Sequence, residues 1–520
     1  MKDKDVSIRL TPQQACSEEL IRKALHLGPS DTYTVIRRST DARRRDVFID
    51  LLCRINPSKP SFTPVIFKDA DPRYGQVLIA GSGPGGLFAA LTLLEHGIKP
   101  VVFERGKDVH SRRVDIAKIS TQDKVDPFSN YSFGEGGAGT YSDGKLFTRS
   151  RKRGDNSRIL ELFVQFGAPA SILYDAHPHI GTDRLPSIIE NMRRCIISHG
   201  GEVHFSTLVT DLIIEGSSVK GCTVKDLVSG EESSYNGPVI LAVGNAARDT
   251  YRMALSRGIA MQSKGLAMGV RIEHPQHLID CIQYHNPSGR GPYLPPAEYN
   301  YAVQASLDGR KTGVYSFCMC PGGFVVPAAS DVNQTVVNGM SPSNRGGKFA
   351  NSGLVVEFPA DGLEFSDPLS VMKYQEELEY RTFLAAGRTQ KAPAQRVTDF
   401  LRGRTSSSLP ATSYTPGLSS FNLEEVLPGE IALPLKEGLN LIGRRLHGYI
   451  TEESILIGTE TRTSGPVRFL RDESTLESLS HSNLYPCGEG AGFAGGIVSS
   501  AIDGMRCALS ICAREGLVQE

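Results

Sequence analysis

The glycine run Gly81-Ser-Gly83-Pro-Gly85-Gly86 has the clearest chemistry in this sequence. Gly81 permits a tight turn, Gly83 lets backbone approach a pyrophosphate, and Gly86 lets a following helix pack against the preceding strand. The free N–H groups at the start of that helix, which carry partial positive charge, bind phosphate oxygens. The run therefore predicts a dinucleotide site. The alternative is a structural glycine turn without a nucleotide.

An acidic residue follows at the expected distance. Glu104 ends the apolar stretch PVVFE, 18 residues after Gly86, close to the spacing of about 20 residues that is typical of a ribose-binding acid. A carboxylate there accepts hydrogen bonds from ribose hydroxyls and repels a 2′-phosphate. We count the neighbouring Arg105 with it as a cofactor-binding residue.

The C-terminal segment LYPCGEGAGFAGGI resembles the second FAD motif of the glutathione-reductase-type flavoproteins. In that family a strand ends in Gly-Asp, and the acid binds the ribityl chain. Here Glu489 follows Gly488, which keeps the charge and lengthens the reach. Gly495, Gly496 and Ile497 would open a helix whose dipole stabilises negative charge at the flavin edge. A glycine-rich loop that merely caps a helix is the alternative.

Two shorter segments agree with this resemblance. VILAVGNAAR resembles the family's Ala-Thr-Gly strand, in which Gly244 lets the chain pass close to FAD, although Val243 stands where the family has Thr. LVTDL resembles the segment that meets the adenine through backbone atoms, which indicates Val209. Both segments could instead be ordinary buried strands.

Over nearly its whole length the sequence resembles a bacterial family of uncharacterised FAD-dependent dehydrogenases (NAD(P)/FAD-dependent oxidoreductases) within the glutathione-reductase-type FAD-binding superfamily. The segments that carry this resemblance are IRRSTDARRRD, FGEGGAGTYSDGKL, SFCMCPGG, ETRTSGPVRFLRD and GEGAGFAGGI. The second of them resembles the glycine-rich loop that lies against the flavin, so the resemblance implies roles for Gly136 and Gly137. Lys145 would place a cation near the flavin, or it is a surface lysine.

The predicted noncovalent cofactor is FAD, and its binding residues are Gly81, Gly83, Pro84, Gly85, Gly86, Glu104, Arg105, Gly136, Gly137, Val209, Gly244, Gly488, Glu489, Gly495, Gly496 and Ile497. Only one G-x-G-x-x-G run, Gly81–Gly86, lies within a β-turn-α-β unit, so we expect the second complete NAD(P)H domain of disulfide reductases to be missing. Either a nicotinamide binds transiently through the substrate domain, or the electrons come from another donor. No metal site is predicted.

Cys318 and Cys320 are candidate catalytic residues, together with Lys145. A dithiol beside FAD would suggest thiol–disulfide exchange. On an extended strand, residues two apart point to the same face about 6.6 Å from each other, at the far end of disulfide reach. The two cysteines would bridge where the chain turns, flank a pocket as thiols, or fill a strand as small apolar side chains.

Other polar residues permit two interpretations each. His177 and His179 are candidate proton donors, since imidazole titrates near neutral pH, or loop histidines with local hydrogen bonds. Thr182 or Asp183 is predicted to cap the helix that starts near Leu185. Arg462 would bind an anionic substrate group or be an ordinary loop arginine.

The elements that must position these residues predict an α/β protein: a discontinuous Rossmann-like FAD-binding domain, an inserted mixed α+β substrate domain and a small N-terminal α+β domain. QVLIA, the glycine turn, LFAALTLLEHG and PVVFE form a β-turn-α-β unit. The predicted boundaries are 1–73 for the small domain, 74–265 for the first FAD part, 266–430 for the substrate domain, and 431–520 for the second FAD part with its C-terminal helix. A proline-containing linker, Asn56 to Pro72, joins the first two.

Composition sets limits on function. The chain has 520 residues, 40% hydrophobic and 22% charged, with a formal net charge of +0, a balance that argues against nucleic acid as a partner. MKDKDVSIRL has no apolar signal core, and the apolar stretches are far shorter than the roughly 20 residues of a membrane span. We therefore expect a cytoplasmic protein with reduced cysteines that acts on a small molecule or redox partner.

The sequence thus predicts an FAD-dependent oxidoreductase, a dehydrogenase or reductase that transfers a hydride or electron pair through FAD to an unidentified substrate. One alternative is an FAD-dependent RNA-modifying protein, because basic residues cluster at Arg37, Arg38, Arg43, Arg44 and Arg45. Another alternative is a non-catalytic flavin-binding sensor.

Overall fold

The N-terminal unit is a small antiparallel sheet beside one helix. This computed structural model describes residues 4–58, 62–147, 154–307, 309–358 and 367–517, so residues 59–61 of the predicted linker lie outside it. The unit contains β1 (Lys4–Leu10), α1 (Glu18–Ala24), β2 (Tyr33–Asp41) and β3 (Phe48–Ile55). Its strand order is β1-β3-β2. Ile21, Leu51 and Cys53 are among the residues of a small separate core.

The next part of the chain alternates strands with helices. Its elements are β4 (Gln76–Ala80), α2 (Pro84–Glu95), β5 (Lys99–Phe103), α3 (Val109–Gln122), α4 (Asn156–Gln165), α5 (Leu185–Ser198), β6 (Glu202–His204), β7 (Thr207–Glu215), β8 (Ser218–Asp226), β9 (Glu232–Asn236), β10 (Val239–Leu241), α6 (Arg248–Ser256) and β11 (Met261–Ser263). The strands β7, β8 and β9 form a separate antiparallel sheet.

A large, mainly antiparallel sheet follows. Its region contains β12 (Leu266–Pro275), α7 (Gln276–Tyr284), β13 (Ala302–Leu307), β14 (Arg310–Pro327), β15 (Val337–Met340), β16 (Phe349–Phe358), α8 (Ser370–Ala385), β17 (Ala392–Arg396), α9 (Val397–Arg402), β18 (Leu418–Ser420), α10 (Gly429–Arg445), β19 (Ile455–Glu460) and β20 (Val467–Phe469). The sheet order is β13-β14-β16-β12-β19-β17-β18, with β15 paired to β14. Helix α10 covers one face of this sheet with Ile431, Leu435 and Leu439.

The C-terminal elements β21 (Leu484–Pro486) and α11 (Ile497–Arg514) return to the first part of the chain. The resulting parallel sheet has the order β21-β10-β4-β5-β6. Helices α2 and α11 cover one face of this sheet, and strands β7 and β8 with helix α6 cover the other, so its strands are apolar on both sides, as in β4. Helix α2 packs directly on α11: a Cβ added at Gly504 would lie 2.0 Å from the carbonyl oxygen of Gly85.

These elements confirm the predicted fold class, an α/β protein with a discontinuous Rossmann-like domain and additional α+β units. The predicted division at residue 430 differs from the observed arrangement, because α10 and β19 pack in and pair with the large sheet. The sequences of α10 and β19 are rich in apolar residues, and this local pattern does not indicate which of the two sheets they join. In the described residues, no helix is long and apolar enough to cross a membrane.

Candidate functional site

A cleft opens at the carboxyl edge of the parallel sheet, where β4, β5, β10 and β21 end. Its empty volume is about 1200 Å³. Ligands of doubly wound sheets bind at this edge because the loops that follow neighbouring strands diverge there. Four segments meet around this space: the turn after β4, Glu104 after β5, the glycine-rich loop 133–139 that follows α3, and the segment between β21 and α11.

The first segment is the glycine turn between β4 and α2. Gly81 has a φ of +102°, a left-handed conformation that favours glycine. A Cβ added at Gly86 would lie 1.9 Å from the carbonyl oxygen of Gly81, so no side chain fits there. Gly83 occupies the cap position of α2 and lines the cleft. The backbone N–H groups and positive end of the helix therefore face the cleft without a competing side chain.

Glu104 lines the cleft and is 4% exposed. Its Oε2 accepts hydrogen bonds from Ser82 N at 3.0 Å and Ser82 Oγ at 2.7 Å. Its Oε1 accepts from Gly106 N and Gly134 N, both at 2.9 Å. The four bonds use the carboxylate's acceptor capacity, so Glu104 links the glycine turn to two other loops. Its contact with a ribose stays a prediction.

The glycine-rich loop after Phe133 packs on the glycine turn. Gly136 N donates to Ser82 O at 3.0 Å, and a Cβ added at Gly137 would lie 3.1 Å from Gly83 Cα. Arg112 is fully buried beside this loop. Its guanidinium donates hydrogen bonds of 2.8–2.9 Å to the carbonyl oxygens of Asn130, Tyr131 and Glu135. Burial lowers the pKa of Arg112 to about 10. Sequence reasoning missed Arg112, because no motif marks it.

The fourth segment joins β21 to α11. Gly488 has a φ of +75°, and its N–H donates to Asp503 Oδ2 at 2.7 Å. Cβ atoms added at Gly495 or Gly496 would meet no described atom within 4 Å, so the entry to α11 is open. Burial raises the pKa of Glu489 to about 7, and its Oε1 accepts from Asn245 Nδ2 at 2.9 Å.

Thirteen of the sixteen predicted cofactor residues line the cleft; among the described residues, the exceptions are Gly86, Gly136 and Gly495. The lining also contains polar residues that the sequence did not single out: Ser132, Ser142, Thr207, Asn245, Thr250 and Ser500. Asn245 follows Gly244 directly, so an extension of that motif by one residue would have found it.

The three catalytic candidates lie together, next to the cleft lining rather than in it. Lys145 Nζ is 3.9 Å from Cys318 Sγ and 4.0 Å from Cys320 Sγ, and it donates to Met319 O. Lys145 is therefore in contact with the dithiol rather than a free surface lysine. Of the two backbone geometries left open for the cysteines, the structure shows a turn rather than an extended strand, because β14 bulges at this point.

The remaining polar candidates are engaged in local contacts. His177 pairs with Glu298, and His179 Nε2 lies 3.1 Å from Ser343 O. The predicted cap is wrong: Arg184 holds the cap position of α5, while Asp183 bonds Ser343 N and Oγ.

Two basic features are likewise paired. Arg462 is held by Glu379, with Nη2–Oε2 at 2.9 Å, and is nearly buried, so it does not present a free guanidinium. In the N-terminal arginine cluster, Arg38 pairs with Asp175 and Arg43 with Asp41.

Comparison with known proteins identifies related sequences. Residues 265–463 match a family described as "FAD-dependent protein, C-terminal domain-like", and residues 1–56 match a domain of unknown function. An uncharacterized protein of Clostridium beijerinckii is 39% identical over 526 residues, which cover 97% of each chain.

Solved structures show a weaker likeness. A flavoprotein/dehydrogenase from Cytophaga hutchinsonii is 13% identical with a TM-score of 0.37, over 85% of this chain and 79% of that one. A flavin-dependent brominase is 15% identical with a TM-score of 0.37, over 86% and 80%. The chain therefore belongs to the same family as the Clostridium protein, and its residues 265–463 belong to the FAD-dependent C-terminal domain family.

Proposed function

We propose that this protein is an oxidoreductase of the glutathione-reductase type that holds FAD noncovalently in the cleft and passes a hydride or an electron pair through it. The observation that carries the proposal is that thirteen predicted cofactor residues, from segments far apart in the sequence, line one space. The family match over residues 265–463 supports FAD as the occupant.

The cleft suits a long dianionic dinucleotide. Two helices, α2 and α11, begin at its wall with the glycines Gly83 and Gly496 in their cap positions. A Cβ at Gly83 would meet only Gly137 Cα, at 3.9 Å, and one at Gly496 would meet no described atom within 4 Å. The space that side chains would fill is therefore available to the cofactor, and the backbone donors face it.

Each part of the cleft has a distinct role in this proposal. The start of α2 binds the pyrophosphate, and Val209 with Thr207 meets the adenine end. Glu489 and Asn245 bind hydroxyls of the ribityl chain, and the start of α11 stabilises negative charge at the flavin edge. When bound, FAD supplies two-electron redox chemistry, while these residues bind, orient and polarise it.

We place the substrate where the cleft meets the large sheet, since crevices between domains are the usual binding sites in such folds. A nicotinamide that binds transiently there is one source of electrons, and a substrate that is itself oxidised is the other.

The test is an anaerobic titration of the FAD-loaded protein with NADH and NADPH, followed in the visible flavin band. Rapid bleaching by one nucleotide supports a pyridine-nucleotide-dependent reductase. A stable band directs the search to other donors, and failure of every tested donor favours the non-catalytic flavin sensor. Failure to bind FAD at all would overturn the proposal. Salt-dependent co-purification with RNA would favour the RNA-modifying alternative.

A further inference from the structure

We propose that Cys318 and Cys320 form a redox-active dithiol that reduces disulfide substrates, with Cys318 as the attacking thiol and Cys320 as the resolving thiol. The exchange takes place at the protein's own sulfur atoms. It is therefore independent of the flavin function proposed above and can be tested separately from it.

A bulge in β14 gives the two cysteines an unusual geometry. Phe317 pairs with Gly353 and Cys320 with Asn351, so three residue steps on β14 oppose two on β16. Cys318 has a φ of +47°, in the left-handed region that costs a residue with a side chain about 1 kcal/mol or more and is enriched at functional sites. The turn takes the cysteines out of the extended conformation that would hold their side chains far apart.

Two cations lie against this turn. Lys145 Nζ is nearly equidistant from the two sulfur atoms, at 3.9 and 4.0 Å. Arg271 Nη2 donates to Cys318 O at 2.7 Å and lies 3.5 Å from Cys320 Sγ. Positive charge at this distance favours the thiolate, which is the nucleophilic form of cysteine.

Two acids share these cations with the thiols. Asp143 pairs with Arg345 at 2.8 Å and lies 3.8 Å from Lys145 Nζ, and Glu460 pairs with Arg271 at 2.8 Å. Burial raises the pKa of Glu460 to about 7. Glu489, in the cleft, also faces the charge of Cys318 and has a raised pKa.

These contacts shift the pKa values of the two thiols in opposite directions. A hydrogen bond from Cys320, supported by Lys145 and Arg271 against the burial of the site, lowers the pKa of Cys318 well below its ordinary value. The same hydrogen bond and burial raise the pKa of Cys320 well above its ordinary value.

The two cysteines also differ in solvent exposure, and the one with the lowered pKa is the more exposed. Cys318 is partly exposed, whereas Cys320 is fully buried. A disulfide from solution therefore reaches Cys318 first, and Cys320 reacts only with what Cys318 has bound. This order is the one that an attacking and a resolving cysteine require.

The proposed reaction consists of two successive thiol–disulfide exchanges. The Cys318 thiolate attacks one sulfur of a disulfide RSSR, the S–S bond breaks, and RS⁻ leaves and takes a proton from solvent. Cys320 gives up its proton and attacks Cys318 Sγ in the mixed disulfide, which releases the second RS⁻ to take up that proton. The protein dithiol is oxidised by two electrons to a Cys318–Cys320 disulfide, and RSSR is reduced to two RSH. An added dithiol such as dithiothreitol reverses the oxidation of the protein.

The first test measures thiolate character in the unmodified protein. Reduced, desalted protein is alkylated with iodoacetamide from pH 5.5 to 9, and each cysteine is quantified by peptide mass spectrometry. At pH 6.5 Cys318 should react at least about tenfold faster than Cys16, because an ordinary thiol with a pKa of about 8.5 is almost entirely protonated there. Cys16 is the more exposed of the two, so a rate at Cys318 no greater than that of Cys16 would overturn the proposal.

The second test uses glutathione disulfide as the substrate probe. The wild-type protein should form a Cys318–Cys320 disulfide, Cys320→Ser should accumulate glutathione on Cys318, and Cys318→Ser should do neither. Cys16→Ser is the matched control and should behave as wild type. If both thiols of the wild type stay free, or if glutathione accumulates on Cys320, the proposal fails.

Lys145 is a positioning residue in this scheme. Lys145→Met should move the pH midpoint of Cys318 alkylation upward by about one unit or more, while Lys145→Arg, which keeps the charge, should move it less. An unchanged midpoint in Lys145→Met would overturn the role of its charge.

Discussion

The substitution Gly83→Ala separates cofactor binding from folding, because the two effects have opposite signs. Gly83 has φ −70° and ψ −178°, which alanine adopts freely, and the added Cβ would meet Gly137 Cα at an ordinary 3.9 Å. Alanine also restricts the unfolded chain, so the FAD-free protein should keep its stability or gain about 0.4–1 kcal/mol.

The same methyl group points into the cleft, where the pyrophosphate must approach the backbone. Loss of one hydrogen bond to a charged phosphate costs about 1.5–3 kcal/mol, so the Kd for FAD should rise about 10- to 150-fold. Gly429→Ala is the matched control, since Gly429 begins α10 and an added Cβ there meets no described atom within 4 Å. It should gain stability and bind FAD as wild type does.

Both quantities are measurable on one preparation. Urea unfolding of the FAD-free protein gives the stability, and quenching of flavin fluorescence on titration gives the Kd. An unchanged Kd in Gly83→Ala would show that the phosphates do not lie at this turn. A loss of more than about 1 kcal/mol in stability would refute the reading of the space around Gly83 as free.

Two further predictions concern carboxylates with shifted pKa values. The pKa of Glu489 is raised to about 7, so the folded FAD-free protein keeps a proton there that the unfolded chain releases near pH 4.5. The free energy of unfolding therefore falls as pH rises from about 4.5 to 7. Glu489→Gln should flatten the corresponding fall in the Tm, and an unchanged pH slope would contradict this prediction. Glu379 lies between Arg248 and Arg462, each at 2.9 Å. These cations outweigh the effect of burial and lower the pKa of Glu379 to about 2. Its contribution to the free energy of unfolding is therefore complete above about pH 4.5 and is lost as pH falls toward 2. Glu379→Gln should cost about 3–5 kcal/mol in urea unfolding at pH 7, because it removes the buried carboxylate that pairs with both arginines at 2.9 Å, and a cost under 1 kcal/mol would refute that account.

Local sequence patterns determined the backbone-based part of the site. Gly81, Gly83 and Gly488 act through conformations and absent side chains, which depend on a few neighbouring residues, so their spacing identifies them without knowledge of the fold. The alternation of apolar strands with helices likewise predicts the parallel sheet, because each βαβ unit is a local structure.

Only the tertiary structure decided which distant residues meet. Glu104 occurs in the right place in the sequence, yet two of the three residues that donate to it, Ser82 and Gly134, lie in loops that reach it only on folding. The membership of β19 in the large sheet depends on its pairing with β12, nearly 190 residues earlier.

For the dithiol, too, the sequence predicts one part of the site and the tertiary structure decides the other. The pattern Cys-Met-Cys predicts two nearby thiols and leaves their chemistry open. The bulge in β14, the approach of Lys145 from the glycine-rich loop and that of Arg271 from β12 set the charge around them. The reactivity of a thiol depends on its local electrostatic field, and that field arises from residues that only the folded chain brings together.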